Sequence, residues 1–114
     1  MNESAIHIQV GLDSDKVPQD ITWSAPDNTP ENTRKAKAFL LSLWDGGDKA
    51  ALRIDLWTKD MMVDEMANFY FQVFTTMADT FEKATKHSEL TADIKKFAKE
   101  FHEKFIKLES EKNK

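Results

Sequence analysis

The chain has 114 residues, of which 40% are hydrophobic and 32% charged, enough for one folded domain and too charged for a membrane protein. A net charge of -4 argues against nucleic acid and anionic membranes, whose binders displace counterions with a basic surface. Without cysteine there are no disulfides, thiol catalysis or cysteine zinc sites; without a leader sequence or a run of ~18 to 20 apolar residues, a cytoplasmic protein is expected.

Ile6, Ile8, Val10 and Leu12 alternate with His7, Gln9 and Gly11, the period-2 pattern of a strand with one buried face over 4–12. Asp13, Ser14 and Asp15 are turn formers, and alternation resumes through Ile21 and Trp23, so 4–12 and 17–25 are expected to pair as an antiparallel hairpin. Thr29, Pro30 and Glu31 combine a capping oxygen, a preset φ and an acid near a helix dipole, which predicts a helix over 30–45. Ala36, Phe39, Leu40 and Leu43 supply its apolar stripe, and Asp45, Gly46 and Gly47 its stop. Leu52, Ile54 and Leu56 predict a further strand over 50–58.

From 61 to 86 the period becomes helical, with Met66, Phe69, Tyr70, Val73, Phe74, Met77 and Phe81 on a broad apolar stripe. A last helix over 89–109, opened by Ser88 or Thr91, carries Leu90, Ile94, Phe97, Phe101, Phe105 and Leu108, and residues 110–114 are expected to fray. A right-handed crossover gives an α+β domain spanning 1–114: a three-stranded ββαβ sheet of order 2-1-3 packed by one helix and a C-terminal pair of long helices. Its open face would carry His7, Gln9, Thr22, Arg53, Asp55 and Trp57, and its outer strands would offer unpaired edges.

Catalytic apparatus is hard to find. His7, His87 and His102 lie in different elements without the spacing that puts two imidazoles on one metal, and are read as surface residues. Asp13 and Asp15 mimic the opening of a calcium loop, but Val17, Pro18 and Ser24 occupy positions where that loop requires a ligand, glycine and glutamate. Asp60, Asp64 and Glu65 are read as capping the long helix. No nucleophile elbow or glycine-rich phosphate loop is present, so neither catalytic residues nor cofactors are expected.

The candidate partner-binding residues are Trp44 and Trp57, left at the edge of the expected core, and Phe97, Phe101 and Phe105, on a helix longer than the strands it would cover. For the phenylalanine stripe, core and interface stay open as alternatives. Lys104 spoils one seam of a coiled coil in the last helix; a homodimer through helices or strand edges stays open.

The stretch IDLWTKDMMVDEM from Ile54 to Met66 and the stretch MADTFEKAT from Met77 to Thr85 resemble the gliding motility-associated protein GldC family of Bacteroidetes bacteria, as do GLDSDKVPQDITW and SLWD. The resemblance spans roughly residues 4 to 86, the last helix matching less recognisably, and Met62 stands where relatives are expected to carry proline. It implies an accessory protein of the gliding machinery, linked to lipoprotein components of that system, with no catalytic or ligand residue to carry over. The expected function is therefore non-enzymatic binding to a protein of that machinery. The alternatives are a dedicated chaperone for an exported or lipoprotein gliding component and a small-ligand-binding domain.

Overall fold

The computed structural model describes residues 3–25 and 33–112 of the chain. It is α+β, with two antiparallel sheets and two helices, and it divides into two compact units, Met1–Met61 and Met62–Lys114.

The first unit is all β. Strand β1 (His7–Leu12) pairs antiparallel with β2 (Pro18–Ser24), with Val10 opposite Ile21 and Ile8 opposite Trp23. Their loop forms around Asp13, whose Oδ1 accepts the amide protons of Asp15 and Val17 at 2.8 and 3.0 Å. Its other oxygen is paired with the ammonium of Lys59, and this bond holds the Asp13 carboxyl down to about 2. Strand β3 (Arg34–Ala36) joins the far side of β2, giving the order β1-β2-β3. Ile21, 2% exposed, is the fully buried large side chain at the centre of this sheet.

Past Lys37 the chain continues as β4 (Ala38–Asp45), which turns back into β5 (Ala50–Trp57) to make a separate two-stranded sheet. The turn repeats the chemistry of the first: Asp45 Oδ1 accepts from Gly47 and Asp48 at 2.8 and 3.1 Å, and Lys49 closes it at φ 53°. Beyond β5, buried Thr58 donates its amide proton to the Lys37 carbonyl at 2.8 Å and its hydroxyl to Asp60, whose carboxyl it holds below the usual range.

These strands correct the sequence reading of the region. Residues 34–45 are two strands and not a helix, and residues 30–32 of that expected helix, with the Thr29–Pro30–Glu31 cap, lie outside the described residues. The run AFLLSLWD is apolar at nearly every position, so it satisfies period 3.6 and period 2 alike. Asp-Gly punctuation likewise serves a helix stop or a hairpin turn. Pairing with the alternating residues of β5 decides for the strand. The 2-1-3 order falls with the helix: β2 is central in its sheet, and β5 pairs with β4, not with the first hairpin.

The second unit is a helical hairpin. Helix α1 (Val63–Thr85) starts after Met62, whose amide proton is accepted by Glu65 at 3.0 Å, with Asp64 also in the first turn. Asp60 is occupied by Thr58 and takes no part in that cap. At the other end Lys86, at φ 62°, closes α1 by donating to the Glu82 carbonyl. The Glu82 carboxylate accepts from the hydroxyls of Ser88 at 2.7 Å and Thr91 at 2.8 Å, which binds the two helices across the turn and keeps this carboxyl below its ordinary range.

Helix α2 (Ser88–Lys112) runs three residues further than expected, so residues 110–112 are helical; 113 and 114 lie outside the described residues. Ala67, Ala78 and Ala98 are buried in this unit. Around them Phe74 of α1 meets Phe97 and Phe101 of α2 edge-on, each with ring centroids 5.4 Å apart. His102 is not a surface residue: its ring lies 4.7 Å from Phe71 and its Nδ1 is buried without a hydrogen-bond partner.

Candidate functional site

The antiparallel register of β4 and β5 sorts their side chains onto two faces. Phe39 is opposite Leu56, Leu41 opposite Ile54, and Leu43 opposite Leu52, so one face is a ladder of three apolar cross-strand pairs. On the other face Leu40 is opposite Asp55 and Ser42 opposite Arg53, with Trp44 and Trp57 towards its two ends. Burial does not follow this division. Leu43, Leu52 and Ile54 are each more than half exposed, although they belong to the apolar ladder.

The ladder continues into the first sheet through Phe39. With Ile6, Ile8, Ile21, Trp23 and Ala36, this ring lines an open apolar hollow of about 260 Å³. Ile6 and Ile8 are exposed at its rim. The first unit therefore carries a contiguous apolar strip, from the hollow along β4 and β5 to the turn at Gly46.

The residues singled out from sequence are distributed as follows. Trp44 is 70% and Trp57 59% exposed, on the same face of the second sheet. Trp44 is opposite Ala51, and Ala51 and Trp57 are about 20 Å apart along β5 at ~3.3 Å per residue, so the two rings form no common site. Phe97 and Phe101 pack on each other and on Phe74, which makes them part of the helical hairpin's interior contacts, although Phe97 keeps 54% of its surface exposed. Phe105 is half-buried on α2.

The ladder face was missed by sequence reasoning, because a helix over 30–45 keeps Phe39 and Leu43 on one stripe with Leu40 and turns Leu41 to the opposite side. The signal that could have found it was the spacing of Leu52, Ile54 and Leu56, which mirrors those three residues across an Asp-Gly-Gly-Asp turn.

The titratable groups with shifted acidities are tied up in turns. Asp13, Asp60 and Glu82 are carboxylates held below their usual range, and each is engaged by hydroxyl or ammonium groups: Lys59 at Asp13, the neighbouring Thr58 at Asp60, and Ser88 and Thr91 at Glu82. A hollow of about 270 Å³ beside β2 and β3 includes Asp20, Lys35, Lys37 and Asp60, where the charges balance. Another, of about 550 Å³, lies along the first hairpin over Glu3, His7, Gln9, Thr22 and Ser24. Among the described residues no three histidine, aspartate or glutamate side chains are grouped as a metal ion would require, and no helix is long and apolar enough to cross a membrane.

A family model described as gliding motility-associated protein GldC-like matches residues 18–107. That span begins at β2 and takes in most of α2, so it includes the last helix, where the resemblance in sequence is weakest. No curated protein and no solved structure matches the chain.

Proposed function

The chain belongs to the gliding motility-associated protein GldC-like family, and we propose from that premise that it is a non-enzymatic accessory of the gliding machinery that works by binding another protein of that machinery. The observation that carries this reading is the exposed apolar ladder of β4 and β5, continuous with the hollow at Phe39. A partner's apolar side chains would cover Leu43, Leu52 and Ile54 there, removing from water surface worth about 25 cal/mol per Å². Trp44, Trp57 and the exposed side of Phe97 are further anchors of the kind found at interfaces.

The non-enzymatic reading is supported by the carboxylates. Active sites are where shifted acidities gather around a cleft, whereas Asp13, Asp60 and Glu82 are each bound to a hydroxyl or ammonium group of a turn, Asp13 and Asp60 by adjacent residues of one turn and Glu82 by another.

The test uses Leu43→Asp together with Leu52→Asp, a directly opposed pair on the ladder. In host cells carrying this variant in place of the natural protein, loss of gliding is expected, together with loss of a gliding component that co-purifies with the natural protein. Wild-type gliding with a folded, normally abundant double variant would overturn the proposed surface. An open apolar strip also suits the chaperone reading, in which deletion of the protein lowers the level of one exported client. Unchanged client levels would dispose of that alternative.

A further inference from the structure

The outer edge of β5 carries a pattern complementary to itself. Because Thr58 donates to the Lys37 carbonyl, these two form a hydrogen-bonded pair at the end of the β4–β5 ladder. Bonded and non-bonded pairs alternate in an antiparallel ladder. Leu56, Ile54 and Leu52 thus turn their backbone groups towards β4, and Trp57, Asp55, Arg53 and Ala51 turn theirs to the outside. Among the described residues β4 is the one strand that β5 pairs with, and every residue of β5 but half-buried Leu56 is exposed. β5 contains no proline or lysine and its register is unbroken by a bulge, so Arg53 and Asp55 are the charges on its edge that restrict which strand can pair there.

We propose that this edge pairs antiparallel with the same edge of a second copy of the chain, about a two-fold axis between the two Ile54 residues. In that register Arg53 lies opposite the second copy's Asp55, and Asp55 opposite its Arg53. The outward backbone groups of Ala51, Arg53, Asp55 and Trp57 all find partners, and Ile54 meets Ile54 as a close non-bonded pair. On the ladder face Leu52 meets Leu56, and on the other face Trp57 lies over the second copy's Ala51.

Charge selects this register from its neighbours. Shifts by an odd number of residues would set apolar faces against polar ones and misalign the donors. The nearest even shifts centre the axis on residue 53 or on residue 55, which places arginine against arginine or aspartate against aspartate. Only the axis at Ile54 pairs both charges with their opposites. Within one chain Arg53 and Asp55 make a loose contact of 3.9 Å, with the Arg53 side chain 67% and the Asp55 side chain 37% exposed, which leaves both within reach of a second partner.

Pairing also answers a stability problem. A two-stranded sheet alone is marginal in water, and three or more strands with an apolar face are needed. Two copies form a four-stranded sheet, β4-β5-β5-β4, in which the two ladders merge into one apolar face. The edge is used by the second copy and the face stays open, so this assembly and the docking of a gliding component are separate events.

Light scattering on a size-exclusion column tests the proposal with the full chain. A dimer of the 13.1 kDa chain is expected. Arg53→Glu and Asp55→Arg should each weaken it on the order of 10-fold or more, because each places two like charges directly opposite. Mixing these two variants should restore a dimer of one copy of each, since every altered charge then faces its opposite. The chain is free of cysteine, so Ile54→Cys reports the axis directly. Non-bonded pairs hold Cα atoms ~4.5 Å apart, within disulfide range. Mild oxidation should link this variant into covalent dimers and leave Gln72→Cys, on α1, unlinked. A monomer mass at micromolar concentration overturns the proposal. So does a dimer indifferent to the charge variants and not linked through position 54, which would place the contact on β4 or the helices. If a charge variant does not fold, the Ile54→Cys result decides alone.

Discussion

Replacing Phe74 tests whether ring geometry holds the helical hairpin together. This side chain meets Tyr70 one turn earlier on α1 with centroids 6.0 Å apart, and Phe97 and Phe101 on α2 at 5.4 Å each, all at steep interplanar angles of 67 to 89°. Two of the three contacts cross between helices. Edge-on ring pairs contribute about 0.5–1.5 kcal/mol each beyond burial, so the two crossing pairs amount to about 1–3 kcal/mol. Phe74 is half-buried, which adds about 1 kcal/mol of transfer free energy. Phe74→Ala should therefore cost about 2–4 kcal/mol. Phe74→Leu keeps most of the apolar body and loses the rings' edges, for about 1–2 kcal/mol. Urea unfolding of the full chain, followed at the helical circular dichroism band, measures both, provided the slope with denaturant is unchanged. A cost below 1 kcal/mol for Phe74→Ala, or equal costs for the two variants, would refute the reasoning by leaving the ring contacts without weight.

Acid should loosen the first hairpin in a defined window. The Asp13 carboxyl sits at about 2 in the folded chain against an ordinary 3.8, because Lys59 and the loop amides favour its ionised form. Its contribution is thus complete above the ordinary value and is lost as pH falls through the folded one, and Asp13→Asn should flatten the fall in stability between about pH 4 and 2. Glu82 is shifted in the same direction by Ser88 and Thr91, so the helical turn weakens in acid as well; an unchanged acid profile in both Asp13→Asn and Glu82→Gln would contradict this account. Lys49 holds a left-handed conformation at φ 53° in the β4–β5 turn, which costs a non-glycine residue roughly 1 kcal/mol. Lys49→Gly should raise the urea midpoint by the equivalent of about 0.5–1 kcal/mol, and a lowered midpoint would show that the turn is not strained there.

Several parts of this molecule could be read from local chemistry alone. The alternation from Ile6 to Leu12 and around Ile21 and Trp23, split by Asp13, corresponds to β1 and β2, because period 2 and an aspartate that binds its own loop are local properties. Long amphipathic stripes likewise announced α1 and α2, and the paired glutamate at position 65 announced where α1 starts. The family was legible in IDLWTKDMMVDEM, and the family match extends it across most of α2.

Residues 34–45 mark the limit of that reading. Their apolar run fits a helix and a strand equally well, and a proline-acid start at 29–31 tipped the balance towards a helix. The choice belongs to β5, which lies on the far side of a turn and supplies the opposing apolar residues one for one. Trp44 and Trp57 could be picked out as exposed, but not as occupying opposite ends of one face; Phe97 and Phe101 could be picked out as a stripe, but not as sharing Phe74. Composition, charge, two strands and two helices were thus determined by the sequence itself, since each depends on neighbours within a few residues. Strand pairing, the open ladder of Leu43, Leu52 and Ile54, and the self-complementary edge at Arg53 and Asp55 were decided by tertiary structure, because hydrogen-bonded register joins residues that no local pattern connects.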